Sequence, residues 1–287
     1  MRVVLFGAQG QLGVAIAAAA RQRGLQVRAL GHADCDINDE RAVEAAVQDA
    51  GPGDAVVNAA AKLGTGEAQT QPREQFETNV KGALLVALHA QRRGAAIVHF
   101  STDYVFDGAK KGAYLESDAP NPLNMYGALK LASEVLVRQA NAAHYVLRIA
   151  SVFGRAQSTT KGPNFVERML QAAGRPDEIA VDDRIIMSPT YARDAADVAL
   201  ELVRRQAPAG IYHAANAGAC TWLDFTNAIL ELAGVERRAV PRKGNADPIP
   251  RPQNSALASE RLAGLGLTMR DWRAALAAYL AERKRGD

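Results

Sequence analysis

Short apolar runs alternate with amphipathic stretches along the first half of the chain. Residues 3–6 are β-branched or apolar and stop at Gly7, and residues 11–22 then carry alanines and aliphatics at helical spacing. The unit recurs, with strands predicted at 26–30, 55–58, 97–101 and 145–150 and helices at 39–48, 72–92 and 125–141. Strands that are apolar on both faces and separated by helices predict an α/β architecture, a doubly wound parallel sheet covered on each side.

Beyond Gly154 the elements shorten. The pattern predicts a helix at 165–172, a strand at 179–181, a helix at 191–205 and a late strand at 211–214, then helices at 222–232 and 271–284. Residues 241–252 hold four of the twelve prolines and predict an irregular, ordered loop. Together these divide the chain into a sheet domain, 1–153 with 191–216 returning to it, and a smaller, sequence-interleaved substrate lobe from 154–190 and 217–287.

Composition changes the picture mainly by exclusion. With 287 residues, 48% hydrophobic and 23% charged, the chain can bury a full core, so neither disorder nor a fibrous repeat fits. Lys and Arg number 34 against 31 Asp and Glu, and a surplus of +3 gives no footprint for nucleic acid or an anionic membrane. Cys35 and Cys220 lie far apart, and His32, His89, His99, His144 and His213 show no metal-ligand spacing. No apolar run is long enough for a membrane span. The expectation is a cytoplasmic protein without a metal.

Two motifs carry chemistry. The first, Gly7-Ala-Gln-Gly-Gln-Leu-Gly13, follows a strand and opens a helix, where glycines let backbone amides approach a pyrophosphate at the positive helix end. Gly7, Gln9, Gly10, Gln11 and Leu12 are the candidate cofactor contacts, and the fold becomes Rossmann-type. At the end of the second strand, where an acid commonly meets the adenosine ribose, the residues are Gly31 and His32. Lacking that acid, and with Arg28 and His32 near, the site favours NADP(H), with NAD(H) still open. Asp36 and Ile37 are placed under the adenine, and Asp36 as a helix cap is the alternative.

The second motif is Tyr126-Gly-Ala-Leu-Lys130, whose i,i+4 spacing puts phenol and ammonium on one helical face. A lysine beside a phenol would lower the tyrosine pKa towards neutrality, where the phenol exchanges a proton with a carbonyl oxygen. Thr102, ending a strand at the sheet's carboxyl edge, adds a hydroxyl.

With these residues the chain resembles the extended short-chain dehydrogenase/reductase family, and within it the dTDP-4-dehydrorhamnose reductase branch. The likeness rests on 6–13, Val57-Asn-Ala-Ala-Ala61, Phe100-Ser-Thr-Asp-Tyr-Val-Phe-Asp-Gly108, Pro122-Leu-Asn-Met-Tyr-Gly127, Asn164-Phe165, Ser188-Pro-Thr190 and Arg251-Pro-Gln-Asn-Ser255. It implies a catalytic triad of Thr102, Tyr126 and Lys130, with Tyr126 and Lys130 also touching the cofactor. It places Ala59, Ala60 and Ala61 on the nicotinamide side and has Asn79 steady the catalytic helix, although Asn79 bonding only backbone is an alternative. Asp103, Tyr104, Ser151, Asn164 and Arg251 fall on the substrate side, Arg251 as a planar fork for a diphosphate.

The chain departs from that branch at Gly66-Glu67-Ala68-Gln69, where Asp-Lys-Ala-Glu is usual, and at Ser151, where a tryptophan is usual. The implied activity is NAD(P)H-dependent reduction of a nucleotide-linked 4-keto-6-deoxy sugar, in a possible homodimer. Two alternatives remain: an epimerase on the same scaffold, and a non-catalytic regulatory subunit like the β subunit of methionine adenosyltransferase. Dehydration is disfavoured because Tyr104, not an acid, follows Asp103.

Overall fold

The computed structural model describes residues 1–157, 162–243 and 248–285. Its first half runs β1 (Arg2–Phe6), α1 (Gln11–Gln22), β2 (Gln26–Leu30), α2 (Glu40–Val47), β3 (Ala55–Asn58), α3 (Thr65–Thr70), α4 (Pro72–Phe76), a π-helical turn (Glu77–Gly82), α5 (Ala83–Arg92), β4 (Ala96–Thr102), α6 (Met125–Ala140) and β5 (His144–Ile149). Then come β6 (Val152–Phe153), α7 (Phe165–Ala173), β7 (Ala180–Val181), β8 (Ile186–Met187), β9 (Thr190–Tyr191), α8 (Ala192–Arg204) and β10 (Gly210–His213). The chain ends with β11 (Cys220–Thr221), α9 (Trp222–Ala233), β12 (Val240–Pro241), α10 (Glu260–Gly264) and α11 (Trp272–Arg285).

Six strands form one parallel sheet in the order β10-β5-β4-β3-β1-β2. Successive side chains of a strand face opposite sides, so apolar runs feed two cores. Val3, Leu5, Val57, Val98, Phe100 and Leu147 pack under α1 and α8, while Val4, Phe6, Val56, Ile97 and Val146 pack under α2, α5 and α6. This is a Rossmann-type doubly wound sheet. Residues 210–213 close one edge beside β5, and α8 covers the sheet face with α1.

A separate aromatic core joins Phe153, Tyr191, Phe225 and Tyr279 with Val166, Ile229 and Leu276, so α7, α9 and α11 pack on one another rather than on the sheet. Two-residue strand pairs, β6 with β9, β8 with β11 and β7 with β12, stitch this region together.

Several boundaries differ from the sequence reading. The predicted helix 72–92 is split by the π turn, because Asn79 turns inward to three partners and Gly82, without a Cβ, admits Ile37 at contact distance. Helix α2 starts at Glu40 with Asp39 as its N-cap, so the cap alternative for Asp36 is excluded. Asp36 instead accepts from the Asn38 amide in a local turn. Helix α3 was not foreseen. The strand at 179–181 shortens to β7, whose partner Val240–Pro241 lies at the head of the segment expected to be irregular; residues 244–247 of that segment lie outside the described residues.

Candidate active site

Because all six strands are parallel, their carboxyl ends share one edge, where the turn after β1 and the end of β4 lie. The glycine turn has three distinct reasons for its glycines. Gly7 has φ +78°, and a Cβ there would meet the Ala60 nitrogen at 2.5 Å. At Gly13 a Cβ would lie 2.2 Å from the Gly7 carbonyl oxygen, so α1 could not pack against the turn. Gly10 is different. It is exposed, and its Cβ would meet only the Gly7 oxygen at 3.6 Å, so the chain's own packing does not require a glycine. A group approaching the backbone from outside at the N-terminus of α1 does require one, which is the fit expected for a dinucleotide pyrophosphate.

The cofactor candidates lie around this turn. Gln9 is exposed and packs against Gly31, whereas Gln11 and Leu12 are half-buried on the first turn of α1. His32 is exposed beyond β2. Asp34 accepts from the Gly31 amide at 2.8 Å, and Arg28 donates to the Ala45 and Ala46 carbonyls at the end of α2. Both side chains are thus tied back to nearby backbone. Ile37 is buried in the core, leaving its backbone as the part that a ligand could meet. Ala59, Ala60 and Ala61 follow β3 half-buried, held by the Ala60 amide donating to Asn58 and by Asn79, which grips Lys62 through both its amide and its carbonyl. Asn79 thus steadies the loop after β3 and bonds backbone rather than α6.

Thr102 ends β4 and Tyr126 lies on the first turn of α6, near enough for the Thr102 hydroxyl to act on the phenol. Their carriers touch through backbone: a Cβ on Gly127 would lie 2.1 Å from the Tyr104 carbonyl oxygen. Asn124 caps α6 by accepting from the Gly127 amide at 3.0 Å, which sets the helix start and hence the direction of Tyr126. Tyr104 is half-buried, its ring edge-on to that of Tyr126 at 6.1 Å.

Charge in the site runs against one expectation. The Tyr126 phenol is held well above its ordinary value, first by burial and then by the Asp103 carboxylate, and Lys130 does not pull it down. Burial lowers Lys130 to about 8, and its ammonium donates to the Phe100 carbonyl at 2.7 Å. Spacing of i,i+4 aligns two residues along a helix, but this lysine is buried against β4 and donates to the Phe100 carbonyl there. Asp103 is buried and raised to about 6 by that burial, against opposing hydrogen bonds from Ser255 and Thr102.

Beneath the site runs a polar spine that the sequence reading missed. The Ser133 hydroxyl donates to the Lys130 carbonyl, so it must accept from His99 Nε2, leaving His99 Nδ1 to accept from Asn58. Burial and the Lys130 charge keep His99 neutral. Alongside, Arg148 and Glu134, 2% and 1% exposed, form a two-pronged ion pair at 2.9 and 2.7 Å, and Ser101 donates to the same carboxylate. The only sequence signal was a charged residue inside the apolar run of β5 and an acid one helical turn after Lys130.

Of the substrate candidates, Ser151 sits between β5 and β6 with φ +44°, a left-handed backbone uncommon outside glycine. Asn164 caps α7 and gives its two amide protons to the Gly154 carbonyl and the Tyr279 hydroxyl. Arg251 is half-buried just before Pro252. A cleft of about 740 Å³ opens between Gln11 at the start of α1 and Asn164, Glu167, Tyr279 and Arg283. Thr102, Tyr126 and Lys130 do not line it, so the structure does not gather all the candidates around one cavity.

A Rossmann-type sheet with a glycine turn after its first strand, and a Thr/Tyr/Lys set at its carboxyl edge, defines a short-chain dehydrogenase/reductase architecture. The RmlD substrate binding domain family matches residues 1–285, and the chain belongs to that family. It is 36% identical to the spore coat polysaccharide biosynthesis protein SpsK of Bacillus subtilis, over 98% of both chains. It is also 36% identical to the dTDP-4-dehydrorhamnose reductase of Mycolicibacterium smegmatis, over 96% of this chain and 84% of that one. Among solved structures, the Bacillus anthracis dTDP-4-dehydrorhamnose reductase in complex with NADP superposes with a TM-score of 0.91 at 29% identity, covering 98% of this chain and 99% of that one.

Proposed function

We propose that this protein is an NADPH-dependent oxidoreductase that reduces the 4-keto group of a nucleotide-linked 6-deoxy sugar. The observation that carries the reading is the gathering of Thr102, at the end of β4, with Tyr126 and Lys130, on α6, at the carboxyl edge of the parallel sheet. The nicotinamide cofactor supplies the hydride. Gly7, Gly10 and the first turn of α1 would receive its pyrophosphate, and the exposed His32 would meet a 2′-phosphate, with Asp34 accepting from the Gly31 amide. Thr102 orients the carbonyl oxygen, and Tyr126 donates its proton as negative charge develops there. Lys130, buried beside β4 with its ammonium on the Phe100 carbonyl, would hold the cofactor ribose.

Within the same reading, α4 and α6 leave the apolar Phe76 (47% exposed), Met125 and Val135 (48%) uncovered, surface that a second copy would bury in a homodimer. Among the described residues no helix is long and apolar enough to cross a membrane. Two free, buried cysteines and the demand for NADPH suit the cytoplasm.

The test is a panel of nucleotide-linked 4-ketosugars, with loss of reduced nicotinamide followed by absorbance. Tyr126→Phe should lower kcat about 100-fold or more while cofactor affinity stays within about twofold, because the phenol acts only when charge develops on the substrate. A Tyr126→Phe enzyme that retained a tenth or more of kcat would remove the assignment.

A further inference from the structure

The strip from Pro250 to Ser255 touches both carriers of the triad. At one end, the Asn124 amide donates to the Pro250 carbonyl at 3.0 Å, and Asn124 is the residue whose carbonyl caps α6. At the other, the buried Ser255 hydroxyl donates to Asp103 Oδ2 at 2.5 Å, and Asp103 Oδ1 accepts from the Thr102 hydroxyl at 3.0 Å. Arg251 lies between these two pins.

The strip itself is held. Asn254 donates to the Lys110 and Gly112 carbonyls, the Ser255 amide donates to Ile186, and the Ile186 amide donates to Gln253. Gly108, with φ +80°, seats it: a Cβ there would meet the Gln253 nitrogen at 2.6 Å. One rigid strip is therefore bonded to the start of α6, which carries Tyr126 and Lys130, and to the end of β4, which carries Thr102.

We propose that the Pro250–Ser255 strip is a clamp that sets Thr102 and Tyr126 in register, with Ser255 and Asn124 as its positioning residues. The position of the strip, and with it whatever Arg251 binds, is thereby transmitted to the reacting hydroxyls. Its catalytic consequence rests on the reductase reading; its mechanical content does not. Ser255→Ala cuts one pin. Asn124→Ser cuts the other while keeping a side chain that caps α6.

Two measurements decide it. In the unliganded protein, hydrogen exchange should show cross-coupling: Ser255→Ala speeds exchange at the Gly127 and Ala128 amides, and Asn124→Ser speeds it at the Tyr104 amide, each about fivefold or more. Steady-state kinetics should show kcat reduced roughly 10- to 100-fold in each variant, with KM and cofactor affinity within about threefold, since misplaced reacting groups cost turnover rather than binding. Exchange changes confined to the mutated end would overturn the clamp, as would kcat within twofold of wild type in both variants. Should the wild type reduce no 4-ketosugar, the functional reading falls while the exchange data still judge the clamp. If Ser255→Ala does not fold, Asn124→Ser alone decides on both readouts.

Discussion

Asp103 is the residue where stability and function pull apart. Its carboxyl is held at about 6 against an ordinary 3.8, so the native state keeps a proton that the unfolded chain has released. Stability therefore falls as pH rises from about 4 to about 6 and stays lower above that, the penalty for a buried anion. Asn has the same shape and can still accept from Ser255, while its NH2 would donate to the Thr102 hydroxyl in place of the bond Asp103 accepts from it. Asp103→Asn is expected to gain on the order of 1 kcal/mol at pH 7.5 and to lose the gain near pH 4. Urea denaturation at both pH values checks this, and equal gains would show that Asp103 is not the titrating group. His32 offers a cofactor test at the same scale. An acid there should meet the adenosine ribose and repel a 2′-phosphate, so His32→Asp should shift the ratio of NADPH to NADH affinity by about tenfold or more towards NADH. Calorimetric titration of both cofactors measures it, and an unchanged ratio places the phosphate elsewhere.

At the scale of elements, β4, β5 and α6 act as one unit because their shared interior is polar. Glu134 on α6 and Arg148 on β5 neutralise each other with full hydrogen bonding, and Arg148 also lies over the Phe106 ring at 5.0 Å. Removing one partner strands a buried charge, so Arg148→Met should cost about 3–5 kcal/mol, read as a lowered denaturation midpoint; exchanging both partners for apolar residues should cost less. This layer also marks the limit of what the sequence could tell. Continuous apolar runs made all six sheet strands legible, and the glycine turn, the strand end at Thr102 and the i,i+4 pair pointed to one edge of the sheet. Glu134 and Ser133, however, share the spacing of an ordinary solvated helical face, and only tertiary pairing buries them. The π turn was invisible because its cause lies in Lys62 and Ile37, both outside the helix. The high phenol pKa was misread for a related reason: spacing along a helix does not report which neighbour a lysine's charge is spent on.

At the scale of the whole molecule, the sheet and the aromatic core meet at the short stretch between β5 and β6, and Ser151 is its first strained point. Its carbonyl accepts from the Thr190 amide at 3.4 Å, and its backbone is left-handed. The family resemblance implies a tryptophan at this position, a broad flat surface for a sugar ring, where this chain has a small hydroxyl. With Ser151 on the sugar side, as the family resemblance implies, the site would be roomier and more polar there. Loss of an apolar contact of that size is worth on the order of 1–3 kcal/mol, or about 10- to 100-fold in affinity. The protein should accordingly reduce dTDP-4-dehydrorhamnose weakly and favour a ketosugar that is bulkier or bears an extra polar group near Ser151. Ser151→Trp should raise kcat/KM on the 6-deoxy sugar and lower it on the larger one. The left-handed backbone disfavours serine and tryptophan alike, by roughly 1–2 kcal/mol, so the exchange should leave the melting temperature nearly unchanged and report on the pocket alone. Ser151→Gly, which relieves that backbone cost without adding a ring, should leave the substrate ranking as it is. If the wild type already turns over dTDP-4-dehydrorhamnose with kcat/KM in the ~10⁴ to 10⁸ M⁻¹s⁻¹ range of efficient enzymes, Ser151 does not set the choice of sugar.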